Sequence, residues 1–328
     1  MEPVIQFLEV RKYFGKLRAV DGLSFDVPRS SLYGFLGPNG SGKSTTLSML
    51  AGFARPTAGR ILLFGENNRD HRLRERVGLM IEEPAFYGYL SARKNLELAG
   101  RLYTRQPDGR RIDETLELVG LEGRGKDLVK NFSHGMKQRL GLAQAYLHQP
   151  ELLILDEPSN GLDPEGNEEM WRILVRLVSE SGCTILVSSH LLYEVEEFCT
   201  HLSLIKSGRL IADGEVKALL EKEDLQLDVG FVSENEQRRA LELLQTQEWI
   251  GEALSGGKLH AYELRVHIGR EPVERLTGWL REQSLQTTTI VPVRRTLRDL
   301  FMALTASASK SEGREAKAAA NQQERKSA

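Results

Sequence analysis

The sequence predicts an α/β fold: a parallel sheet with helical crossovers, a helical insertion within it, and a small α+β module after it. Three observations carry this reading. The apolar runs "LLILD" and "TILVSS" flank an amphipathic helical stretch; residues 91–147 read as helix after helix with glycine-marked breaks; and after about Gly214 short strand-like and helix-like segments alternate.

In chain order, "VIQFLEV", "LSFDV" up to Pro28 and "LYGFL" ending at Gly37 read as short strands over residues 4–36. From Ser44 the pattern turns helical, and "RILLFG", "LLILD" and "TILVSS" supply further strands. In "EEMWRILVRLVSES", Met170, Ile173, Leu174, Leu177 and Val178 recur at i, i+3, i+4, i+7, i+8, the stripe of a helix packed on one face. Strand, helix, strand is the grammar of a parallel sheet. Later, "LQLDVGFV", "EQRRALELLQ", "LHAYELRVHI", "PVERLTGWLREQ" and "TTTIVPV" fit a small α+β module closed by the helix "TLRDLFMAL". The expected domains are therefore residues 1–215, 216–305 and a tail, 306–328, without a bulky apolar residue to offset its ordering entropy.

With 328 residues, 40% of them hydrophobic, the chain can build a sizeable core. Its 44 basic and 46 acidic residues leave a formal charge of −2, which gives no global basic field, so no nucleic-acid partner is expected. Cys183 and Cys199 lack metal or disulfide-scaffold spacing and read as buried, reduced thiols of a cytoplasmic protein. His201, His260 and His267 show no ligand spacing. No apolar run approaches the ~18 residues a bilayer span needs, and "MEPVIQFLEV" lacks the order of a signal peptide. Work at a membrane would require another chain.

The chemistry concentrates in two motifs. "GPNGSGKST", Gly37 to Thr45, matches the G-x-x-x-x-G-K-[ST] phosphate loop, directly after an apolar strand and before a helical pattern. Gly37, Gly40 and Gly42 let backbone N–H groups of this loop, with Asn39, Ser41 and Thr45, curl around phosphate oxygens. Lys43 would reach the β and γ phosphates, and the Ser44 hydroxyl suits Mg²⁺. In "LLILDEP" a buried strand ends at Asp156, placed to hold the magnesium, and Glu157 follows, placed to orient or deprotonate a water. "FSHGMKQ", Phe132 to Gln138, puts Ser133 and Gly135 at the mouth of a helix, whose free N–H groups suit an anion.

These residues, in this order, resemble the nucleotide-binding subunit of an ATP-binding cassette (ABC) transporter over roughly residues 4–215. "FSHGMKQ" stands at the family's LSGGQ signature, with Phe132, His134 and Met136 replacing Leu, Gly and Gln while Ser133 and Gly135 remain. "SNGLD", ending at Asp163, stands at the D-loop; His190 of "SSH" at the switch histidine; Phe14 at the adenine-stacking aromatic; and Glu82 where a loop glutamine is usual. "IEEPAFYGYLSARKNL" resembles the bacitracin-resistance and antibiotic-export branch, which implies a magnesium-sensing role for Glu82. Tyr13 reads equally as a residue sharing the adenine face with Phe14 and as an exposed edge-strand aromatic, and His134 is better read as a polar cap or surface residue than as catalytic. "TLRDLFMALT" resembles the closing helix of that branch's C-terminal module.

The resemblance implies a P-loop NTPase (RecA-like) core with an N-terminal antiparallel β subdomain and an α-helical insertion at about 85–147. It further implies ATP and Mg²⁺ as ligands, and a homodimer or heterodimer with a second ABC ATPase in which each signature helix meets the γ-phosphate held by the other chain. A separate transmembrane permease would keep the subunit peripheral on the cytoplasmic face of the membrane, most simply for export. Two competing readings remain: a soluble ABC ATPase acting on nucleic acid or ribosomes, and a nucleotide switch without turnover. One cassette instead of a tandem pair and the near-neutral charge argue against the first, and the presence of Glu157 and His190 against the second.

Overall fold

The structure, a computed structural model, describes residues 2–81, 84–103, 108–220, 226–255, 262–268, 272–293, 296–302 and 304. The chain divides into two compact units, Met1–Val216 and Lys217–Ala328. The residues 306–328 expected to form a tail lie outside the described residues, as does His260.

The first unit opens with strands β1 (Ile5–Phe14) and β2 (Leu17–Val27), an antiparallel hairpin that closes at the Phe14–Leu17 pair. Both run well past the apolar stretches that announce them. Charged residues such as Arg11, Lys12 and Arg18, half-buried or exposed near the hairpin end, break the apolar pattern, so the strand signal fades before the strand does. Strand β3 (Leu32–Leu36) is buried at all positions and leads into α1 (Lys43–Leu50). Strands β4 (Ala58–Leu63) and β5 (Glu66–Asn67) complete a four-stranded antiparallel sheet of order β2-β1-β4-β5. After β6 (Val77–Met80), the helices α2 (Ala92–Gly100), α3 (Gly109–Leu118) and α4 (His134–Tyr146) form the insertion, with Leu96, Ile112, Leu116 and Leu140 buried.

Then come β7 (Leu152–Asp156), α5 (Pro164–Ser181), β8 (Thr184–Ser189), α6 (Leu192–Phe198), β9 (His201–Lys206) and β10 (Arg209–Glu215). The larger sheet has the order β10-β9-β3-β8-β7-β6 and is parallel except at its β9–β10 edge. Strands β6, β9 and β10 have no clear signal in the sequence. Gly78 interrupts β6, and β10 is an edge strand whose residues are half-buried or exposed, so neither is a continuous apolar run.

Helix α5 starts and stops for local reasons. Asp163 caps it, its Oδ1 accepting from the Gly166 N–H at 3.0 Å; Pro164 occupies the first turn, and Gly182 ends it in the left-handed region at φ 69°. Its buried side holds Met170, Ile173, Leu174 and Leu177 as the spacing predicts, whereas Val178 is only half-buried. The apolar face is wider than that stripe: Trp171 is fully buried and stacks on Phe198 of α6, ring centroids 5.4 Å apart. The two sheets of this unit share one core. Phe25 of β2 stacks on Phe7 at 4.4 Å and on Phe35 of β3 at 5.6 Å, each buried ring contributing roughly 1.5–3 kcal/mol.

A short helix α7 (Val216–Leu220) begins at the division. The second unit runs β11 (Gln226–Phe231), α8 (Glu234–Leu244), β12 (Glu252–Ser255), β13 (Glu263–His267), α9 (Val273–Glu282) and β14 (Thr287–Val293). Its antiparallel sheet, order β12-β13-β11-β14, is the β-α-β-β-α-β arrangement. Leu227, Val229 and Phe231 alternate toward a core with Ala240, Leu244, Leu276 and Leu280. Asp228, between them on the other face, accepts two bonds from Arg265 at 2.8 and 3.0 Å.

Both cysteines are free and buried, and burial pushes the Cys183 thiol up to about 12 and the Cys199 thiol upward as well. Among the described residues, no helix is long and apolar enough to cross a membrane.

Gly34 of β3 lies tight against α6: an added Cβ would lie 2.4 Å from Val195 Cγ1. Gly34→Ala should therefore lower stability by about 1–3 kcal/mol, read as a lower urea midpoint at unchanged slope. A wild-type midpoint would mean that α6 is free to slide off β3.

Candidate functional site

The polar residues of the first unit emerge together at the carboxyl ends of β3, β7 and β8, where open α/β sheets place their ligands. Within Leu152–Leu155 and Thr184–Val187 the strands are buried, and charged residues appear only where they end.

The loop after β3 is shaped by close approaches. A Cβ on Gly37 would stand 2.4 Å from Ser41 Oγ and 2.5 Å from the Ile205 carbonyl oxygen. Gly42, at φ 107°, presses against β2, where a Cβ would meet the Ala19 carbonyl at 2.5 Å. This loop ends as the N-terminus of α1, with Thr46 N–H donating to Gly42 O at 2.9 Å. Asn39 and Gly40 are exposed at its crest, Ser44 is exposed, and Thr45 is half-buried. Two features fit a bound polyphosphate. The buried Ser41 Oγ has no hydrogen-bond partner, and the Lys43 ammonium, 6% exposed, donates to its own loop's Gly37 carbonyl at 2.7 Å. A donor hydroxyl and an ammonium folded back on the loop are groups that phosphate oxygens can engage.

At the end of β7, Ser188 of β8 bridges the two acidic residues. Its hydroxyl donates to Asp156 Oδ1 and accepts from the Glu157 N–H, the latter at 2.9 Å. Glu157 has φ 46°, a left-handed conformation that costs a non-glycine residue about 1–3 kcal/mol and clusters at functional sites. Its carboxylate lies between two of the predicted residues. Oε1 is 3.6 Å from Lys43 Nζ, and Oε2 accepts from His190 Nδ1 at 3.0 Å, which places the ring proton on Nδ1. Lys43, Asp156, Glu157 and His190, separated by up to 147 positions in sequence, thus form one cluster through Ser188.

The signature residues are elsewhere. Ser133 caps α4, its Oγ accepting from the Met136 N–H at 3.2 Å. His134 is exposed, and its Nε2 donates to the Asn160 carbonyl at 3.1 Å while the ring rests on Gly161. Ser133, Gly135 and Asp163 line a cleft of about 370 Å³ facing the segment after Glu157, not the phosphate loop. Phe14 is 54% exposed at the end of the β1–β2 hairpin, with Lys12 Nζ 4.9 Å from its ring centre. Tyr13 is engaged instead, its hydroxyl donating to Asp21 at 3.1 Å. Glu82, and Glu83 beside it, lie outside the described residues. The sequence reading did not single out Ser188, Ser159, Asn167 or the buried Glu194. Ser188 had a faint signal in the two serines that end "TILVSS"; Glu194 had none, being one of three glutamates in "YEVEEF".

Comparison with known proteins places the chain. The family described as "ABC transporter" matches residues 20–160. The chain is 38% identical to the bacitracin transport ATP-binding protein BcrA of Bacillus licheniformis over 309 residues, 93% of this chain and 98% of that protein. It is 41% identical to the Nod factor export ATP-binding protein I of Burkholderia lata over 223 residues, 67% and 73% of the two chains. Its fold is similar to that of CbiO1 from Clostridium perfringens, part of the CbiONQ complex, with a TM-score of 0.62 at 26% identity, covering 75% of this chain and 97% of that one.

The tight seat of Gly42 generates a test. Gly42→Ala forces a side chain into both a disfavoured φ and the Ala19 carbonyl, so the loop must shift. Nucleotide affinity, measured by fluorescent-nucleotide titration, should fall by about tenfold or more, ~1.4 kcal/mol. Unchanged affinity would separate this loop's conformation from ligand binding.

Proposed function

This chain belongs to the ABC transporter family, and from that membership we propose which of its residues bind and hydrolyse ATP and how it meets its partners. The chain is an ATP-binding and ATP-hydrolysing subunit of an ABC transporter. The observation that carries the residue assignment is the placement of Glu157 between Lys43 and His190 beside a phosphate loop with an unpartnered hydroxyl.

On this reading the loop Gly37–Thr45 holds the phosphates. Gly37, Asn39, Gly40, Ser41 and Gly42 supply backbone donors, and Lys43 exchanges the Gly37 carbonyl for phosphate oxygens. Phe14 stacks on adenine. Mg²⁺, carried in with the nucleotide, would be held by Ser44 and Asp156 and would offset the phosphate charge. Glu82 is the candidate for sensing that ion. Glu157 accepts a proton from the attacking water as its oxygen bonds the γ-phosphorus, and the bond to the bridging oxygen breaks to release ADP and phosphate. His190 orients Glu157 and faces the same phosphate.

Half of the proposed site is supplied by another chain. Ser133 and Gly135 sit at a helix N-terminus turned to the segment that ends at Asp163, away from Lys43, which supports a head-to-tail dimer, homo- or heteromeric, closing over ATP. The partner in the membrane is a separate permease, with this subunit peripheral on the cytoplasmic face. The relatives named for bacitracin transport and Nod factor export support export as its direction. No observation in the fold or the similarities favours action on nucleic acid or ribosomes. Residues 216–305 form an accessory or regulatory domain; the similarity to BcrA, which spans 93% of this chain, supports treating that domain as part of the same system.

Glu157→Gln keeps the shape and loses the base. Turnover should fall by about 10²- to 10⁴-fold with ATP affinity retained, and the variant should collect as an ATP-dependent dimer on sizing chromatography. Lys43→Ala should fail to bind and fail to dimerise. Wild-type turnover in the glutamine variant would remove Glu157 from the mechanism. Deleting residues 221–328 should leave ATP affinity in place, since all the phosphate-binding residues proposed lie in the first unit; a folded deletion protein that cannot bind ATP would show that the second unit contributes to the site.

A further inference from the structure

Glu194, in the first turn of α6, is 0% exposed, and three donors from three different elements converge on its carboxylate. Oε1 accepts from Ser159 Oγ at 3.1 Å and from Asn167 Nδ2 at 2.6 Å, and Oε2 accepts from Ser189 Oγ at 2.6 Å. Ser159 lies two residues beyond Glu157, in a turn where Asn160 N–H donates to Glu157 O at 3.0 Å. Ser189 precedes His190, and its hydroxyl also accepts from the Leu191 N–H at 3.0 Å, closing a turn around the histidine. One buried carboxylate thus spans the loops that leave β7 and β8 and the helix α5 behind them.

Burying a carboxylate is unfavourable unless its lone pairs are filled, and an apolar side chain would fill the same volume without that penalty. The helix that carries Glu194 does not depend on it for attachment: Val195 packs onto Gly34, and Phe198 stacks on Trp171. Packing alone therefore leaves the charge unexplained, whereas holding two loops in register accounts for each bond.

We propose that Glu194 is a positioning residue for ATP hydrolysis, tying the segment after Glu157 to the segment that presents His190 so that the two side chains keep their 3.0 Å pairing. The inference rests on the reading of Glu157 and His190 as the hydrolytic pair. A glutamine at this position replaces two charged acceptor oxygens by one neutral oxygen and an amide: Ser159 and Asn167 can keep the oxygen, Ser189 must then turn its hydroxyl to accept from the amide, and each tie becomes a weaker, uncharged bond while the volume is kept.

The test uses the full chain. Glu194→Gln should keep ATP affinity within about twofold of wild type and lower kcat by about tenfold or more, because a small misplacement of reacting groups costs rate before it costs binding. The double variant Ser159→Ala with Ser189→Ala should show a similar loss, and combining it with Glu194→Gln should add nothing further. A nitroxide attached at Asn160→Cys, the described native thiols being buried, should become more mobile when Glu194 is replaced. Wild-type kcat in a folded Glu194→Gln protein, additive losses in the triple variant, or unchanged label mobility would each overturn the proposal. Should Glu157→Gln turn over ATP normally, the hydrolytic-pair reading is what fails, and label mobility alone then decides whether Glu194 holds the loop.

Discussion

Burial of β3, β7 and β8 on both faces is the constraint on which the rest of the first unit depends. A parallel strand covered on both sides has no place for a charged side chain along its length, so its polar chemistry is pushed to its ends. Three such strands lie side by side in register, Leu36 opposite Ser189 and Asp156 opposite Ser188, and they release their first polar residues at one edge. The phosphate loop, Asp156, Glu157 and His190 meet because of strand register. No long loop has to search for them.

That same constraint explains what could be read in advance. "LYGFLGPNGSGKST" and "LLILDEP" are legible because an uninterrupted apolar run must end where charge begins, and the end is where the chemistry sits. The N-terminal hairpin was legible only in part, since Arg11 to Leu17 mix charged and apolar residues without a strand period. Glu194 was illegible. Nothing in "YEVEEF" separates it from Glu197, which is exposed; only the approach of Ser159, Asn167 and Ser189 from distant positions makes it different. Hydrogen bonds between side chains far apart in sequence leave no periodicity, whereas burial of strands and helices does.

The second unit shows the limit from the other side. Its alternation of β11 residues is plain, with Leu227, Val229 and Phe231 facing the helices, and its topology follows from the order of segments. Yet a fold argued from pattern carries no function by itself. Asp228 and Arg265, directly opposite each other on β11 and β13, form a bidentate pair of the kind that structural ion pairs on sheets make.

The departure at His134 connects these levels. Where the family signature has glycine, this chain has an imidazole whose Nε2 donates to Asn160 O and whose ring covers Gly161. The neighbouring residue in that loop, Ser159, is held from within by Glu194. The segment between Glu157 and Asp163 is therefore gripped from the helix that begins at Ser133 and from the helix that begins at Leu192. A glycine at 134 would leave only the inner grip. Two hydrogen-bonded links, one at a position where this chain departs from the family motif and one buried beneath it, thus hold the short segment that follows Glu157.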